Sequence, residues 1–275
     1  MLTDLYNREI NYLRLSITDL CNLQCSYCYP NINVCCSVGG SSLGSILTYD
    51  EILSLAKVSV ELGITKIRLT GGEPLLRDDV VSLVSAISHI SGIDECVLTT
   101  NGVLLQDYAE ALKRAGLCRI NVSLDSLRED TYFQISGQRY LQKVLGGIYA
   151  AKRFGLPVKI NFVVLPEVND GEVLSMKRFC QMHGLGLQFI KKMDLERGKD
   201  KIEEEVFYDR PPSCRMCNKI RVTSRGDLLP CLFGQAIGNI RMFNNIKEAI
   251  VTTVINKKKH GQISDCKLSM LGIGG

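Results

Sequence analysis

From about residue 10 to residue 190, the sequence alternates short apolar runs with longer amphipathic runs. Six short runs have the length and composition of β-strands, at residues 12–18, 66–70, 95–100, 119–124, 158–165 and 187–190. Helical spacing of apolar residues is found between them, at 49–63, 79–90, 107–116 and about 142–155. This alternation predicts βαβ units and a parallel sheet. Six units predict an α/β fold that forms a partial (β/α)6 TIM-like barrel, since a closed eight-unit barrel needs more chain.

The alternation stops after residue 191. The charged stretch up to Pro211 and Pro212 indicates a linker or a surface excursion, and a short helix is predicted around 244–254. The basic run Lys257–Lys259 is expected to lie on a solvated face. We therefore expect a partial barrel at 1–191 and a C-terminal extension at 192–275 that closes it.

Composition narrows the class of protein. Apolar residues make up 45% of the 275 residues, enough for a sizeable core, and the net charge is +4. This charge is too small to indicate a nucleic-acid partner but suits an anionic small substrate. No apolar run is long enough for a membrane span, and residues 1–16 lack the apolar core of a signal peptide, so a cytoplasmic protein is expected.

Three of the twelve cysteines follow the first predicted strand in the pattern C-x3-C-x2-C: Cys21, Cys25 and Cys28. Three neighbouring thiolates favour a [4Fe–4S] cluster, which keeps one iron open to a substrate or cofactor. A zinc site would need a fourth ligand, for which Cys35 or Cys36 could serve.

A second group, Cys214, Cys217 and Cys231, has the spacing C-x2-C-x13-C and again leaves one cluster iron open. The alternative is a structural zinc site that Cys266 or His260 completes. The remaining cysteines adjoining apolar segments are expected to be small buried residues; they are Cys96, Cys118 and Cys180.

Polar motifs follow several of the predicted strands. Gly71–Gly72–Glu73 follows the second strand, and glycine allows the backbone to approach a ligand closely. Because sites in parallel α/β folds lie at the carboxyl ends of strands, we expect the motifs to gather at one edge of the sheet. Arg14, Arg68 and Lys159 interrupt apolar strands, where an unpaired charge is costly. They are expected to face an anionic ligand, with an exposed strand face or an internal salt bridge as the alternative.

The first cysteine group, with Tyr27 before its third cysteine, and the Gly71–Gly72–Glu73–Pro74 segment resemble the signature of the radical S-adenosylmethionine (SAM) superfamily. Nearly the whole chain resembles the GTP 3′,8-cyclase family of molybdenum cofactor biosynthesis. The matching segments include LTTNG, NVSLDSL, VKINFVV, the second cysteine group and the terminal double glycine. The resemblance implies two [4Fe–4S] clusters, SAM as cofactor and conversion of GTP to 3′,8-cyclo-7,8-dihydro-GTP.

It also implies a role for individual residues. The SAM site would include Tyr27, Gly71, Gly72, Glu73, Ser123 and Met193. The residues facing GTP would be Arg14, Arg68, Thr99, Lys159, Lys219 and Arg221. The catalytic residues would be Arg14, Lys159, Gly274 and Gly275. Implied partners are an electron donor such as flavodoxin or ferredoxin and a downstream cyclic pyranopterin monophosphate synthase, with the enzyme a monomer or homodimer.

Three features depart from the family pattern. Gln188 and Lys219 stand where the family usually has arginine, and the segment 194–213 is short. Gln188 and the short segment favour an alternative, a paralogous two-cluster enzyme acting on a different nucleotide or a peptide. A separate, non-enzymatic hypothesis is a zinc-bound scaffold or a nucleic-acid-binding protein.

Overall fold

The computed structural model describes residues 1–28, 45–192, 214–232 and 234–260. Met193, Gly274 and Gly275, together with Cys35, Cys36 and Cys266, lie outside these described residues. The strands and helices are β1 (Tyr12–Ser16), α1 (Tyr49–Glu61), β2 (Lys66–Thr70), α2 (Val80–Ser88), β3 (Glu95–Thr100), α3 (Leu105–Arg114), β4 (Arg119–Ser123), α4 (Glu129–Ser136), α5 (Leu141–Arg153), β5 (Val158–Val164), α6 (Val173–His183), β6 (Gly186–Lys191), β7 (Lys219–Val222), β8 (Asp227–Leu229), β9 (Gly238–Asn239) and α7 (Ile246–Ile255).

Strands β1 to β6 lie side by side in sequence order, and every neighbouring pair is parallel. This arrangement confirms the predicted α/β fold and all six predicted strands. Sequential order with intervening helices is the strand order of a TIM-type barrel.

The sheet extends beyond β1 into the C-terminal region. Strand β7 pairs with β1 in parallel, and β8 and β9 follow as antiparallel strands. These three strands were not predicted, and neither were α4 and α6. The region after residue 213 therefore continues the same sheet, and α7 packs on α1 and β8.

Alternate residues along the strands divide the sheet into an apolar and a polar face. Positions such as Leu13, Ile67, Leu98 and Ile120 are buried and share one core with the helices. Their neighbours in the sequence form what we call the polar sheet face, on the side away from that core. Parallel sheets are usually apolar on both faces, so a polar face in every one of the first seven strands indicates a binding surface.

Local sequence signals explain where the helices begin and end. Helix α1 begins with a capping box, in which Thr48 accepts a hydrogen bond from the Glu51 backbone N–H and the Glu51 carboxylate accepts one from that of Thr48. It ends before Gly63, whose φ of 94° lies in the left-handed region. Among the described residues, no helix is long and apolar enough to cross a membrane.

Candidate active site

The first cysteine site, Cys21, Cys25 and Cys28, occupies the loop that follows β1. All three thiols are half-buried. The Cys28 backbone N–H donates to the Cys25 carbonyl at 2.9 Å, which forms a tight turn that brings the two residues together. Cys21 lies close enough for its charge to interact with that of Cys25. The structure therefore brings the three predicted ligands together at the carboxyl end of β1.

Gly71 and Gly72 pack directly against the chain that leads into this loop. A Cβ atom on Gly72 would lie 2.2 Å from the Leu20 carbonyl oxygen, and one on Gly71 would lie 2.7 Å from that of Thr18. The Gly72 N–H donates to the Thr18 oxygen at 2.9 Å. Glycine is required at both positions because the two backbones touch, which gives this motif a structural role beside its predicted role in SAM binding.

Glu73 joins the second and third strand ends beneath the first cysteine site. Its fully buried carboxylate accepts hydrogen bonds from the Leu75 N–H at 3.0 Å, the Thr100 hydroxyl at 2.6 Å and the Asn101 N–H at 2.6 Å. Burial raises its pKa to about 7, although each of the three donors favours the carboxylate. The Asn101 amide then donates to Asn22 at 2.7 Å and reaches the Cys21 sulfur at 3.9 Å. Glu73 is thus linked to the cysteine loop by a short chain of hydrogen bonds.

Tyr27 is held by a second buried carboxylate. Its hydroxyl donates to Asp125 at 2.6 Å, and the other Asp125 oxygen accepts from the Val163 N–H at 2.7 Å. Burial raises the pKa of Asp125 to about 6. Asp125 follows β4, so the side chain between Cys25 and Cys28 is fixed by the fourth strand end.

The polar sheet face carries a row of three arginines. Arg14 on β1 is directly opposite Arg68 on β2 and Arg221 on β7. They are 5%, 2% and 7% exposed. Neighbouring strands lie about 4.8 Å apart, so three guanidinium groups share a narrow buried strip.

Neighbouring side chains make this strip more cationic. The Arg68 guanidinium donates to the Tyr12 hydroxyl at 2.5 Å and to Thr99 at 2.8 Å. The ammonium groups of Lys66 and Lys219 each lie 5.4 Å from the centre of the Tyr12 ring. Lys66 also forms an ion pair of 2.7 Å with Glu95. Tyr12, Lys66 and Glu95 were not among the predicted site residues.

The polar face continues across β3 to β6. Thr99 pairs with Asn121, Asn121 with Lys159, and Asn161 with both Ser123 and Gln188 in the strand register. All of the predicted GTP-facing residues and Ser123 therefore lie on one face. Gln188 lies there too and is 6% exposed, so a neutral amide occupies this part of the face.

The second cysteine site, Cys214, Cys217 and Cys231, lies at the other edge of the sheet. Cys214 and Cys217 precede β7, and Cys231 follows β8, which runs antiparallel to β7. This position corrects the expectation that all motifs gather at the carboxyl ends of the strands. The row of three arginines lies between the two cysteine sites. The two sites lie at opposite ends of the strands, and the length of a strand, roughly 15 Å, is part of the distance between them.

The prediction of a solvated basic run is wrong for Lys257, which is only 3% exposed, and is confirmed for Lys258 and Lys259, which are exposed. The ammonium group of Lys257 donates to the Lys219 carbonyl at 2.8 Å and the Pro230 carbonyl at 2.6 Å, and it lies 3.6 Å from the Cys217 sulfur. Although burial opposes ionisation of Cys217, the positive charges of Lys257 and Lys219 lower the pKa of its thiol. Sequence analysis missed Lys257, since the exposed Lys258 and Lys259 follow it.

Both cysteine sites suit an iron–sulfur cluster by the chemistry of their donors. Each offers three soft thiols from short, hydrogen-bonded loops, and thiolates are the usual ligands of such clusters. In the described segments, no three His, Cys, Asp or Glu side chains are already arranged around a common metal position.

Two of the cysteines outside these sites were predicted correctly and one was not. Cys96 and Cys180 are buried, as expected. Cys118 is exposed, because it lies in the turn before β4, and its adjacent apolar residue, Leu117, alone enters the core.

Comparison with known proteins gives a consistent result. The sequence profile of the Radical SAM superfamily matches residues 15–180. The chain is 36% identical to the GTP 3′,8-cyclase of Geobacter sulfurreducens over 331 aligned positions that cover 100% of this chain and 99% of that protein. It is 37% identical to the GTP 3′,8-cyclase of Alkaliphilus oremlandii, with 95% of each chain covered.

Solved structures share the fold at low sequence identity. Streptococcus suis SuiB bound to S-adenosylmethionine has a TM-score of 0.66 and 16% identity, and the match covers 89% of this chain and 65% of SuiB. Native anSMEcpe with bound AdoMet has a TM-score of 0.65 and 17% identity, with 95% and 89% covered. These likenesses support the partial barrel.

Proposed function

Since the chain belongs to the radical SAM superfamily and, within it, to the GTP 3′,8-cyclase family, we propose that it converts GTP to 3′,8-cyclo-7,8-dihydro-GTP in molybdenum cofactor biosynthesis. Membership of the superfamily implies one [4Fe–4S] cluster and SAM, and the first cysteine site has the ligands for that cluster. In this proposal, residues 1–191 form the radical-generating barrel and residues 192–275 close it and bind the substrate.

The observation that carries the proposal is the row of buried arginines on the polar sheet face. Arg14, Arg68 and Arg221 lie in register on adjacent strands, where their like charges repel and burial removes water. An anion bound across all three would offset both costs, and guanidinium groups bind phosphate with two parallel hydrogen bonds. A nucleoside triphosphate supplies such an anion, and Lys159, Lys219 and Thr99 lie on the same face to bind its remaining oxygens.

The residues of the first site would receive SAM. The backbone at Gly71 and Gly72, Tyr27 held by Asp125, Ser123 and the Glu73 segment surround the cysteine loop at the ends of β2 and β4. When bound, the first cluster and SAM supply a 5′-deoxyadenosyl radical that removes a hydrogen atom from the substrate. Met193 at the SAM site, and Gly274 and Gly275 as catalytic residues, belong to the proposal by resemblance and lie outside the described residues.

The second cysteine site would hold another [4Fe–4S] cluster through Cys214, Cys217 and Cys231, with its open iron binding the guanine. The row of arginines runs between this site and the first, so one nucleotide could contact the second cluster and still present its ribose towards SAM. A flavodoxin or ferredoxin would donate electrons, and cyclic pyranopterin monophosphate synthase would use the product. The enzyme would act in the cytoplasm as a monomer or homodimer.

Anaerobic incubation of the reconstituted protein with SAM, dithionite and GTP tests this proposal. We expect 5′-deoxyadenosine and the cyclised nucleotide to form together. Formation of 5′-deoxyadenosine without a cyclised nucleotide would overturn it.

Gln188 supports a second candidate, a paralogous two-cluster enzyme that acts on another nucleotide or a peptide. Its buried amide lies on the polar sheet face and offers no positive charge to a phosphate group. A panel of deuterated substrates separates the two candidates. Deuterium transferred into 5′-deoxyadenosine from a substrate other than GTP, and not from GTP, would favour this second candidate.

A further inference from the structure

The ammonium group of Lys257 is buried, and no carboxylate of the described residues hydrogen-bonds to it. In the part of the chain that the structure describes, its contacts are two backbone carbonyls and the sulfur of Cys217. A buried charge is costly unless an opposite charge compensates it. The anionic sulfur of a metal-bound Cys217 would supply that opposite charge, 3.6 Å away.

The two carbonyl contacts place the Lys257 ammonium group between the two chain segments that carry the cysteines of the second site. Lys219 lies two residues after Cys217, and Pro230 lies immediately before Cys231. One ammonium group therefore fixes both cysteine-bearing segments while it donates to one of the sulfurs. The adjacent Arg8 supports the same region, because its guanidinium donates to the Cys214 carbonyl at 2.8 Å and the Lys258 carbonyl at 2.7 Å.

We propose that Lys257 is a positioning residue of the second cysteine site, which donates a charged hydrogen bond to the Cys217 sulfur and stabilises the reduced form of the cluster held there. Hydrogen bonds to cluster sulfurs and nearby positive charge make reduction easier, because reduction adds negative charge. This inference rests on the second cluster of the proposed function and adds a residue outside the cysteines that tunes it.

The test is a redox titration of the anaerobically reconstituted full-length protein, followed by electron paramagnetic resonance. The signal of the second cluster is the one that Cys217→Ala removes. We expect Lys257→Met to lower the midpoint potential of this signal and to increase the rate of iron loss to a chelator roughly 10-fold. Lys258→Met is the matched control, because Lys258 is exposed, and it should change neither quantity.

Two conservative variants separate the charge from the packing. Lys257→Arg keeps a charged donor and should restore most of the potential. Lys257→Gln keeps an N–H donor without the charge and should have a low potential even if Lys257→Met fails to fold. An unchanged potential in the Gln variant would overturn the inference, even if its iron were lost faster, because loss of packing alone changes retention.

The same samples distinguish failure of the inference from failure of the proposed function. Wild-type protein that holds two clusters but forms no cyclised nucleotide would overturn the cyclase proposal, while the comparison of potentials still decides the role of Lys257. Wild-type protein with iron for one cluster only would overturn the inference itself.

Discussion

The two cysteine sites have the same number of thiols but opposite electrostatic surroundings. At the first site, burial raises the pKa of Cys21, and a hydrogen bond to Cys28 together with burial raises that of Cys25. The buried carboxylates of Glu73 and Asp125 act in the same direction. At the second site, Lys257 and Lys219 lower the pKa of Cys217. Without metal, the raised pKa values of Cys21 and Cys25 favour the protonated thiols, whereas the lowered pKa of Cys217 favours its thiolate.

This difference predicts that the two sites bind metal with different pH dependence. Metal binding at the first site must release protons against a negative environment, so its affinity is expected to begin falling at a higher pH than that of the second site. At the second site, neighbouring cations stabilise the anionic sulfur even when no metal is bound. Five experiments can break or sharpen this contrast.

Removal of one thiol from each site should have the largest effect. Cys21→Ala should reduce formation of 5′-deoxyadenosine from SAM to background, because the first site would keep only two ligands. Cys217→Ala should leave SAM cleavage measurable and abolish the cyclised nucleotide. Chromatography of both products in one anaerobic assay measures this separation, with Cys118→Ala as an exposed-thiol control. Loss of SAM cleavage in both variants would show that the sites do not act separately.

Gly72→Ala should damage the first site and spare the second. The new Cβ would lie 2.2 Å from the Leu20 carbonyl oxygen, so the backbone before Cys21 must move. We expect a loss of at least about 3 kcal/mol in the free energy of unfolding, measured by urea denaturation of the metal-free protein. Iron at the first site should fall with it, and the spectroscopic signal of the second should remain.

Gly171→Ala is the matched control, because a Cβ there meets nothing within 4 Å. Equal stability of the two variants would show that the cysteine loop moves without cost.

Glu73→Gln should cost about 1–3 kcal/mol of stability in the metal-free protein. The carboxylate accepts from two backbone N–H groups and one hydroxyl, and an amide NH2 would face at least one of these donors. Thr99→Ser, a neighbouring change that keeps the hydroxyl near Arg68, is the control and should cost much less. A cost as small as that of the control would contradict the linking role of Glu73.

The pH dependence of stability follows from the same carboxylates. The pKa values of Glu73 and Asp125 are raised to about 7 and about 6, so the folded state binds more protons than the unfolded state between about pH 4 and 7. Stability of the metal-free protein should therefore fall as the pH rises through this window. The Glu73→Gln variant should show a smaller fall. Urea unfolding at pH 5 and pH 7.5 measures the fall in both proteins. An equal fall in the wild type and in the Glu73→Gln variant would show that Glu73 does not cause it.

The smallest expected effect is a several-fold difference in thiol reactivity. In the metal-free, reduced protein, Cys217 should react with iodoacetamide faster than Cys25, because the thiolate is the reactive species. Mass spectrometry of digested samples at pH 7.5 measures the two rates. Lys257→Met should slow the reaction of Cys217 and leave that of Cys25 unchanged. A faster reaction at Cys25 would reverse the electrostatic contrast.

The sequence predicts the first site more completely than the second. Six strands of five to seven residues carry enough periodicity to be recognised, and the cysteine and glycine motifs are short and continuous. Strands β8 and β9 have only three and two residues, so no pattern can reveal them. The position of the second cysteine site depends on these strands and on β7, which explains why its edge of the sheet was predicted wrongly.

Residue burial sets a further limit on what a sequence can predict. Lys257 is chemically identical to the exposed Lys258 beside it, and only the packing of α7 against β8 and α1 makes it buried. Glu73 was predicted as a SAM-site residue from its motif, but its three hydrogen bonds depend on how the ends of β2 and β3 meet. Arg14 and Arg68, in contrast, were recognisable because each interrupts an apolar strand.

The pairing of β7 with β1 has a consequence for how the protein is made. Arg14 and Arg221 are adjacent in the sheet but about two hundred positions apart in the chain. During synthesis, one edge of β1 must stay without its partner until residues 219–222 leave the ribosome, and pairing at such separation folds slowly. The second cysteine site and the row of arginines are completed in that late step. A ribosome-bound chain that ends before β7 should therefore expose the unpaired, aggregation-prone edge of β1. Chaperone binding to this edge would protect the nascent protein from aggregation.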